Sequence, residues 1–173
     1  SIMTGTGYGS ADFTTWGEFA STLLLIAMFI AGCGGSTTCG IKVFRLQVLA
    51  TTARVQISRL LRPHAVVLAY YNKRPVAPEV MDSVMGFFYL YILCFVLLAI
   101  LLGMMGLDFV TALSGAATSI SNVGPGLGNL IGASGNFATV PDAAKWVMAF
   151  GMLLGRLELF TVLVMLTPAF WSR

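Results

Sequence analysis

Few residues in this sequence are charged, and residue types common in catalysis are rarer still. Charged side chains make up 10% of the 173 residues, whereas soluble domains carry about 25%, which excludes an ordinary soluble protein. Cys33, Cys39 and Cys94 lack the paired spacing of a zinc site or a disulfide framework. His64 is the only histidine, so the sequence offers no nucleophile–base pair for an enzyme within a membrane, and we expect no enzymatic activity.

Long hydrophobic segments dominate what remains. Hydrophobic residues make up 57% of the chain, and its mean hydropathy is +0.87. Uncharged segments run from Phe19 to Ile41 and from Ser83 to Leu107, and a third apolar segment runs from Ala143 to Thr167. A helix of about 20 residues crosses the roughly 30 Å of a bilayer's hydrocarbon core. The sequence therefore predicts an all-α membrane protein.

Basic residues indicate which side of the membrane is cytoplasmic. Seven of the ten stand in one block: Lys42, Arg45, Arg54, Arg59, Arg62, Lys73 and Arg74. Loops rich in Lys and Arg face the cytoplasm, so we expect residues 42–80 there, which explains the block better than nucleic-acid binding does. The amphipathic segment from Val43 to Tyr70 should be helical as far as Pro63, with a turn over residues 72–78.

A glycine-rich pentapeptide occurs twice, at matching places in a repeated pattern. Gly5-Thr-Gly-Tyr-Gly9 and Asn122-Val-Gly-Pro-Gly126 share the form x-[TV]-G-x-G, close to the T-V-G-Y-G of potassium channels. At membrane depth, irregular backbone survives only where protein buries it or where it lines a water-filled path. We interpret both pentapeptides as walls of an ion filter built from backbone carbonyls. The segment from Phe109 to Ser121 is too short to cross, so we expect a half-helix whose C-terminal dipole faces a cation.

The first apolar segment is interrupted by glycine. Between Gly32 and Gly40 stand four glycines, each costing about 1 kcal/mol in a helix interior, so we expect a break there. Two interpretations remain open. The small residues could allow a tight helix crossing, or the segment could unwind into a loop that crosses the permeation path as a gate.

Two ionisable residues lie inside the last apolar segment. Arg156 should lie roughly 16 Å below Lys145 along a helix, and Glu158 follows it on a different face. Ionisable residues inside a span mark functional sites. Arg156 could cap carbonyl groups of the 32–40 break, or it could use the same contact as a gate latch. Glu158 alone is slender support for proton coupling, so channel-like conduction is favoured over symport.

Four ordered motifs together resemble a known family. They are residues 1–9 around the first pentapeptide, residues 34–42, residues 118–126 around the second, and Gly155-Arg-Leu-Glu-Leu-Phe160. They resemble the bacterial TrkH type of the Trk/Ktr/HKT superfamily of potassium transporters, in which four units of helix, pore half-helix, filter and helix surround one pore. The resemblance implies that residues 1–72 end a third unit. It implies that residues 73–173 form a fourth, with helix 83–107, half-helix 109–121, filter 122–128 and second helix 143–168. The first two units and the front of the third would then precede this C-terminal portion.

The resemblance also implies an ion, a gate and partners. The transported ion would be potassium, with no organic cofactor on this chain, held as a bound metal by carbonyls around Gly5, Thr6, Gly7, Asn122, Val123 and Gly124. The family's gate corresponds to Gly32, Gly34, Gly35 and Gly40, with Arg156 holding it. The family forms homodimers in the lipid of the bacterial inner membrane and works with a cytosolic TrkA-type subunit that binds NAD and ATP. A different class of function, a non-conducting membrane assembly module with glycine loops for helix packing, stays open.

Overall fold

The described part of the chain is almost entirely helical. A computed structural model describes residues 2–9, 11–30, 32, 38–62, 69–71, 74–128 and 130–157, with the backbone alone at Thr14 and Arg74. The α-helices are α1 (Glu18–Phe29), α2 (Val43–Leu61), α3 (Pro78–Met104), α4 (Phe109–Ser121) and α5 (Asp142–Arg156). Short 3-10 helices cover Phe13–Trp16 and Phe137–Thr139. One small antiparallel hairpin pairs β1 (Tyr70–Tyr71) with β2 (Arg74–Pro75).

Helix α3 is the one described helix that is both long and apolar enough to cross a membrane. It begins five residues before the start expected at Ser83, because a proline is accepted in the first helical turn and an acidic residue such as Asp82 does not stop a helix. It ends at Met104, before the end expected at Leu107, where Gly106 turns the chain with a φ of +88°. The helix therefore covers residues 78–104 instead of the expected 83–107.

Helix α4 covers the residues of the expected half-helix and is buried almost throughout. The Asp108 carboxylate caps its start by accepting a hydrogen bond from the Thr111 N–H at 3.2 Å. Its end is set by Asn122, which adopts the left-handed conformation with a φ of +53°. Gly115, Ala116 and the other small residues of α4 let its neighbours approach closely, so this short helix lies inside protein.

The hydrophobic core joins α3, α4 and α5. Leu102, Ala116, Ile120 and Met148 are among its buried members. A second cluster contains Phe13, Met28, Ala117, Val123 and Leu127, and it joins α1 and the neighbouring 3-10 helix to α4 and the segment that follows it. Both clusters meet on α4, which makes that helix the centre of the described structure.

Helices α1 and α2 are separated by a loop whose two ends meet. The Ile41 N–H donates to the Phe29 carbonyl at 3.0 Å, and Ile30 forms a single parallel bridge with Ile41. The end of α1 and the residue that precedes the start of α2 are therefore held next to each other. Gly32 and Gly40 belong to the described residues, whereas Gly34 and Gly35 lie outside them, as do His64 and Glu158.

Helix α5 starts at the predicted outer surface. The Lys145 ammonium donates a hydrogen bond to the Asp142 carboxylate at 2.9 Å and holds the pKa of that carboxyl below its usual range. The helix is described as far as Arg156. The rest of the expected second helix, to residue 168, lies outside the described residues from 158 onwards.

Candidate functional site

The two glycine pentapeptides lie against each other. A Cβ atom on Gly7 would lie 2.7 Å from the Val123 carbonyl oxygen and 3.3 Å from Cδ of Pro125. A Cβ atom on Gly124 would lie 3.7 Å from the Gly7 Cα atom. Because only hydrogen fits at Gly7, this contact needs glycine.

The backbone at these positions adopts conformations that favour glycine. Gly5, Gly7 and Gly124 have φ angles of +68°, +74° and +107°, a region that residues with a Cβ atom rarely adopt. A Cβ on Gly5 would lie 3.7 Å from the Asn122 carbonyl oxygen, and one on Gly7 would lie 2.7 Å from the Val123 carbonyl oxygen. Two successive carbonyl oxygens of the second pentapeptide therefore lie close to the first pentapeptide.

Hydroxyl groups of α4 hold the second pentapeptide from behind. The Gly124 N–H donates to Thr118 Oγ1 at 2.9 Å, and the Val123 N–H donates to the Thr118 carbonyl at 3.1 Å. The Leu127 N–H donates to Ser114 Oγ at 2.9 Å. These backbone N–H groups bond on the α4 side, which leaves carbonyl groups for the side facing the first pentapeptide.

Asn122 fastens the end of α4 to α5. Its Nδ2 atom donates to the Met152 carbonyl at 2.9 Å. Nearby, a Cβ atom on Gly155 would collide with the Ile120 carbonyl oxygen, and one on Gly151 would lie 3.2 Å from Ser119 Cβ. Glycines four residues apart share a helix face and let two backbones approach closely, so α5 packs directly on the end of α4.

The described end of the α1–α2 loop lies between the first pentapeptide and α5. The Thr38 hydroxyl donates to the Thr4 carbonyl at 3.4 Å, and a Cβ on Gly5 would lie 3.2 Å from Thr38 Cγ2. The Lys42 ammonium donates to the Thr38 carbonyl at 2.6 Å. On the other side, Arg156 Nη1 lies 3.8 Å from Cys39 Sγ. Arg156 thus contacts the described end of the loop through the Cys39 thiol.

The segments that follow the two pentapeptides also contact each other. The Ser134 hydroxyl donates to Asp12 Oδ2 at 2.9 Å, and a Cβ on Gly9 would lie 3.3 Å from Ala133 Cβ. The contacts between the two halves of the chain therefore extend from the loop at Thr38 to the outer loop at Ser134.

Several of these supporting residues were not among the site residues predicted from the sequence. Thr118 and Ser114 could have been found, because hydroxyls within an apolar half-helix must bond to something when buried. Gly151 and Gly155 form a G-x-x-x-G pattern that also signals close helix packing. Thr38 and Lys42 carry no comparable signal, since their contacts depend on how the loop folds.

Comparison with known proteins identifies the family. The sequence pattern of the TrkH family, described as a cation transport protein, matches residues 1–173. The chain belongs to the TrkH family. This confirms the resemblance, and the all-helical, potassium-channel-like membrane fold is confirmed by a crystal structure. That structure, of the potassium transporter TrkH from Vibrio parahaemolyticus, matches with a TM-score of 0.89 at 41% identity, covering 99% of this chain and 36% of the other.

Relatives within the TrkH family cover this chain from end to end. The potassium uptake protein TrkI of Halomonas elongata is 48% identical over 173 residues, all of this chain and 35% of the relative. TrkH of Vibrio parahaemolyticus is 41% identical over 171 residues, 99% of this chain and 35% of the relative. The chain thus spans about a third of the length of the relatives it matches.

Proposed function

We propose that this chain supplies two of the walls of a pore through which potassium crosses the bacterial inner membrane. The observation that carries the proposal is the contact between the two pentapeptides, at Gly7 and the Val123 carbonyl. The names of the relatives, which are potassium uptake proteins, support potassium as the ion. The other walls would come from the remainder of the parent protein.

Potassium would be held by backbone carbonyl groups, which replace its hydration shell. The candidates are the carbonyls of Gly5, Thr6 and Gly7 on one side and of Asn122, Val123 and Gly124 on the other. Helix α4 ends at Ser121, immediately before the second set, so its dipole places about half a negative charge at that end. The hydroxyl groups of Thr118 and Ser114 would favour a cation there too, because they accept hydrogen bonds from backbone N–H groups whose partial positive charge would repel it.

The test is Gly7→Ala in the full-length parent, expressed in cells that lack their own potassium uptake. The added Cβ would lie 2.7 Å from the Val123 carbonyl oxygen, so we expect ion uptake to lose its preference for potassium over sodium. Gly106→Ala is the matched control. Gly106 also has a positive φ, +88°, but nothing lies within 4 Å of its Cβ position, so the control carries backbone strain without the contact.

Unchanged potassium preference in Gly7→Ala, at normal expression and assembly, would exclude the filter. The alternative function, a non-conducting assembly module, predicts another order of events. In that case Gly7→Ala would lower the amount of assembled protein before any change in ion preference, and the parent would not restore growth at low potassium.

We further propose that the Gly32–Gly40 segment is a gate that Arg156 holds. The observations in favour are that Thr38 contacts Gly5 while Cys39 contacts Arg156, so the segment joins the filter to α5. Arg156→Gln in the parent is expected to raise the initial rate of potassium uptake. Lys145→Gln, on the same helix but paired with Asp142 at the surface, is the control. Equal rates for the parent and both variants would refute the gate.

The proposed partners rest on the family resemblance. We propose that the parent forms a homodimer and binds a TrkA-type cytosolic subunit, with NAD and ATP as that subunit's ligands, through the basic surface between Lys42 and Arg74. Co-elution of the detergent-solubilised parent with such a subunit would test the second partner. Loss of co-elution in Arg59→Gln would support docking on this surface, and unchanged co-elution would oppose it.

A further inference from the structure

A cavity lies between α2 and the β-hairpin. Its volume is about 440 Å³, and the described residues that line it are Gln47, Ala50, Thr51, Arg54, Tyr70 and Tyr71. The four helical residues are three or four positions apart and therefore share one face of α2. Val48, Thr52 and Val55 are the residues of α2 that are buried, so the cavity occupies a different side of the helix from its packed face.

The lining of this cavity suits an anion. It contains one guanidinium, one amide and two phenols, and none of its described members is acidic. Arg54 has no hydrogen-bond or ion-pair partner within the part of the chain that the structure describes. Arg45, by contrast, is used internally, since its guanidinium lies 3.9 Å from the centre of the Phe87 ring. The planar guanidinium of an arginine matches the oxygens of a phosphate in a bidentate manner.

Helix lengths indicate that the cavity lies near the cytoplasmic surface of the membrane. Counting back about 30 Å from Met104, at 1.5 Å per residue, reaches Val84. Arg45 of α2 lies beside Phe87, close to this boundary, and the hairpin ends at Pro75, just before α3 begins at Pro78. Tyr70 is 57% exposed, and tyrosine is enriched where membrane and water meet.

We propose that this cavity binds the phosphate head group of an anionic phospholipid of the inner leaflet. Arg54 bonds the phosphate, while the Gln47 amide and the phenol of Tyr71, the less exposed of the two tyrosines, donate further hydrogen bonds. A lipid is favoured over free phosphate because the membrane holds its head group beside the cavity at a high local concentration. A single exposed arginine attracts a free anion in water only weakly. This site is independent of the proposed conduction function, and because Arg54 lies on the basic surface also proposed for the cytosolic subunit, lipid binding is measured without that subunit.

The experiment measures lipid retention by the detergent-solubilised full-length parent. Phosphatidylglycerol and phosphatidylcholine are titrated in separate samples, and bound lipid is counted by native mass spectrometry. We expect phosphatidylglycerol to bind the parent, and Arg54→Gln to weaken it about tenfold, the effect of losing a charge-assisted hydrogen bond. Arg62→Gln is the matched control, because Arg62 is an exposed basic residue that directly follows α2 and lies outside the cavity.

A second variant keeps the proposal testable if Arg54→Gln fails to fold. Tyr71→Phe keeps the ring and removes one donor, and we expect it to weaken phosphatidylglycerol about threefold. Equal losses of phosphatidylglycerol binding in Arg62→Gln and Arg54→Gln would overturn the proposal, because the lipid would then be attracted by the basic surface as a whole and not by the cavity. Equal retention of phosphatidylcholine would also overturn it. Displacement of the lipid by inorganic phosphate at equal concentration would show an anion site that does not depend on a lipid, and would overturn the proposed ligand.

Discussion

Replacing Gly155 by alanine tests how closely α5 packs on the end of α4. The added Cβ would collide with the Ile120 carbonyl oxygen, and it would lie 2.7 Å from the Ile120 carbonyl carbon and 3.1 Å from Asn122 Nδ2. Ile120 is completely buried, and its carbonyl is backbone, so no side-chain rotation relieves the contact. Helix α5 must move away, and the hydrogen bond from Asn122 to Met152 is expected to lengthen.

The size of the effect follows from two opposing contributions. Forcing an extra carbon into a packed interior costs about 1–3 kcal/mol, whereas alanine in place of glycine favours a helix by up to about 1 kcal/mol. Gly103→Ala in α3 separates them, because nothing lies within 4 Å of a Cβ at Gly103. We expect Gly103→Ala to be neutral or slightly stabilising, and Gly155→Ala to be less stable than that control by about 2 kcal/mol.

The assay is thermal unfolding of the full-length parent in detergent, followed by the loss of its monodisperse size-exclusion peak. Potassium and sodium uptake are measured in parallel, because movement of Asn122 should also weaken ion preference. A Gly155→Ala variant as stable as Gly103→Ala, with uptake unchanged, would refute the close packing of α5 on α4.

Two hydroxyl groups give further predictions. Thr118→Val keeps the side-chain shape and leaves the Gly124 N–H without its hydrogen-bond partner. The loss should lower the free energy of unfolding by about 1–3 kcal/mol and lower the preference for potassium over sodium. Thr22→Val, which removes an exposed hydroxyl of α1, should leave stability and ion preference unchanged. Equal behaviour of the two variants would contradict the role of Thr118. Tyr91→Phe removes the 2.8 Å hydrogen bond between the Tyr91 and Ser121 hydroxyls. It should lower the free energy of unfolding by about 0.5–1.5 kcal/mol, and therefore lower the unfolding midpoint. An unchanged midpoint would show that this bond adds nothing to stability.

Sequence patterns predict the helices of this protein well where the pattern is strong and local. The segment from Phe109 to Ser121 is bounded by an acidic N-cap and by a residue that accepts a left-handed conformation, so both ends of α4 are readable. The expected start of α3 at Ser83 is wrong because the uncharged segment begins there, whereas a charged residue near the water surface, such as Asp82, continues a helix readily. Hydrophobicity locates the membrane, and helix propensity and capping locate the helix ends.

Contacts between distant parts of the chain are harder to predict. Thr38 lies close to Gly5 near the place where the Ile41 N–H bonds to the Phe29 carbonyl. No local sequence pattern predicts these contacts, because they join residues that are far apart in the chain. Arg156 was singled out because a charge inside a span must have a partner, but that its neighbour includes the Cys39 thiol depends on the loop's path.

Asn122 explains one departure from the symmetric potassium-channel pattern, which has threonine at this position. The residue ends α4 in the left-handed conformation, with a φ of +53°, which asparagine tolerates and β-branched threonine does not. Its side chain reaches the Met152 carbonyl of α5, and its own carbonyl faces Gly5. A chain whose units differ in sequence can give one wall this additional anchor, whereas a pore made of identical subunits must repeat every feature in each wall. The departure at Asn122 therefore anchors α4 to α5, and it leaves the Asn122 carbonyl close to Gly5, as the proposed filter requires.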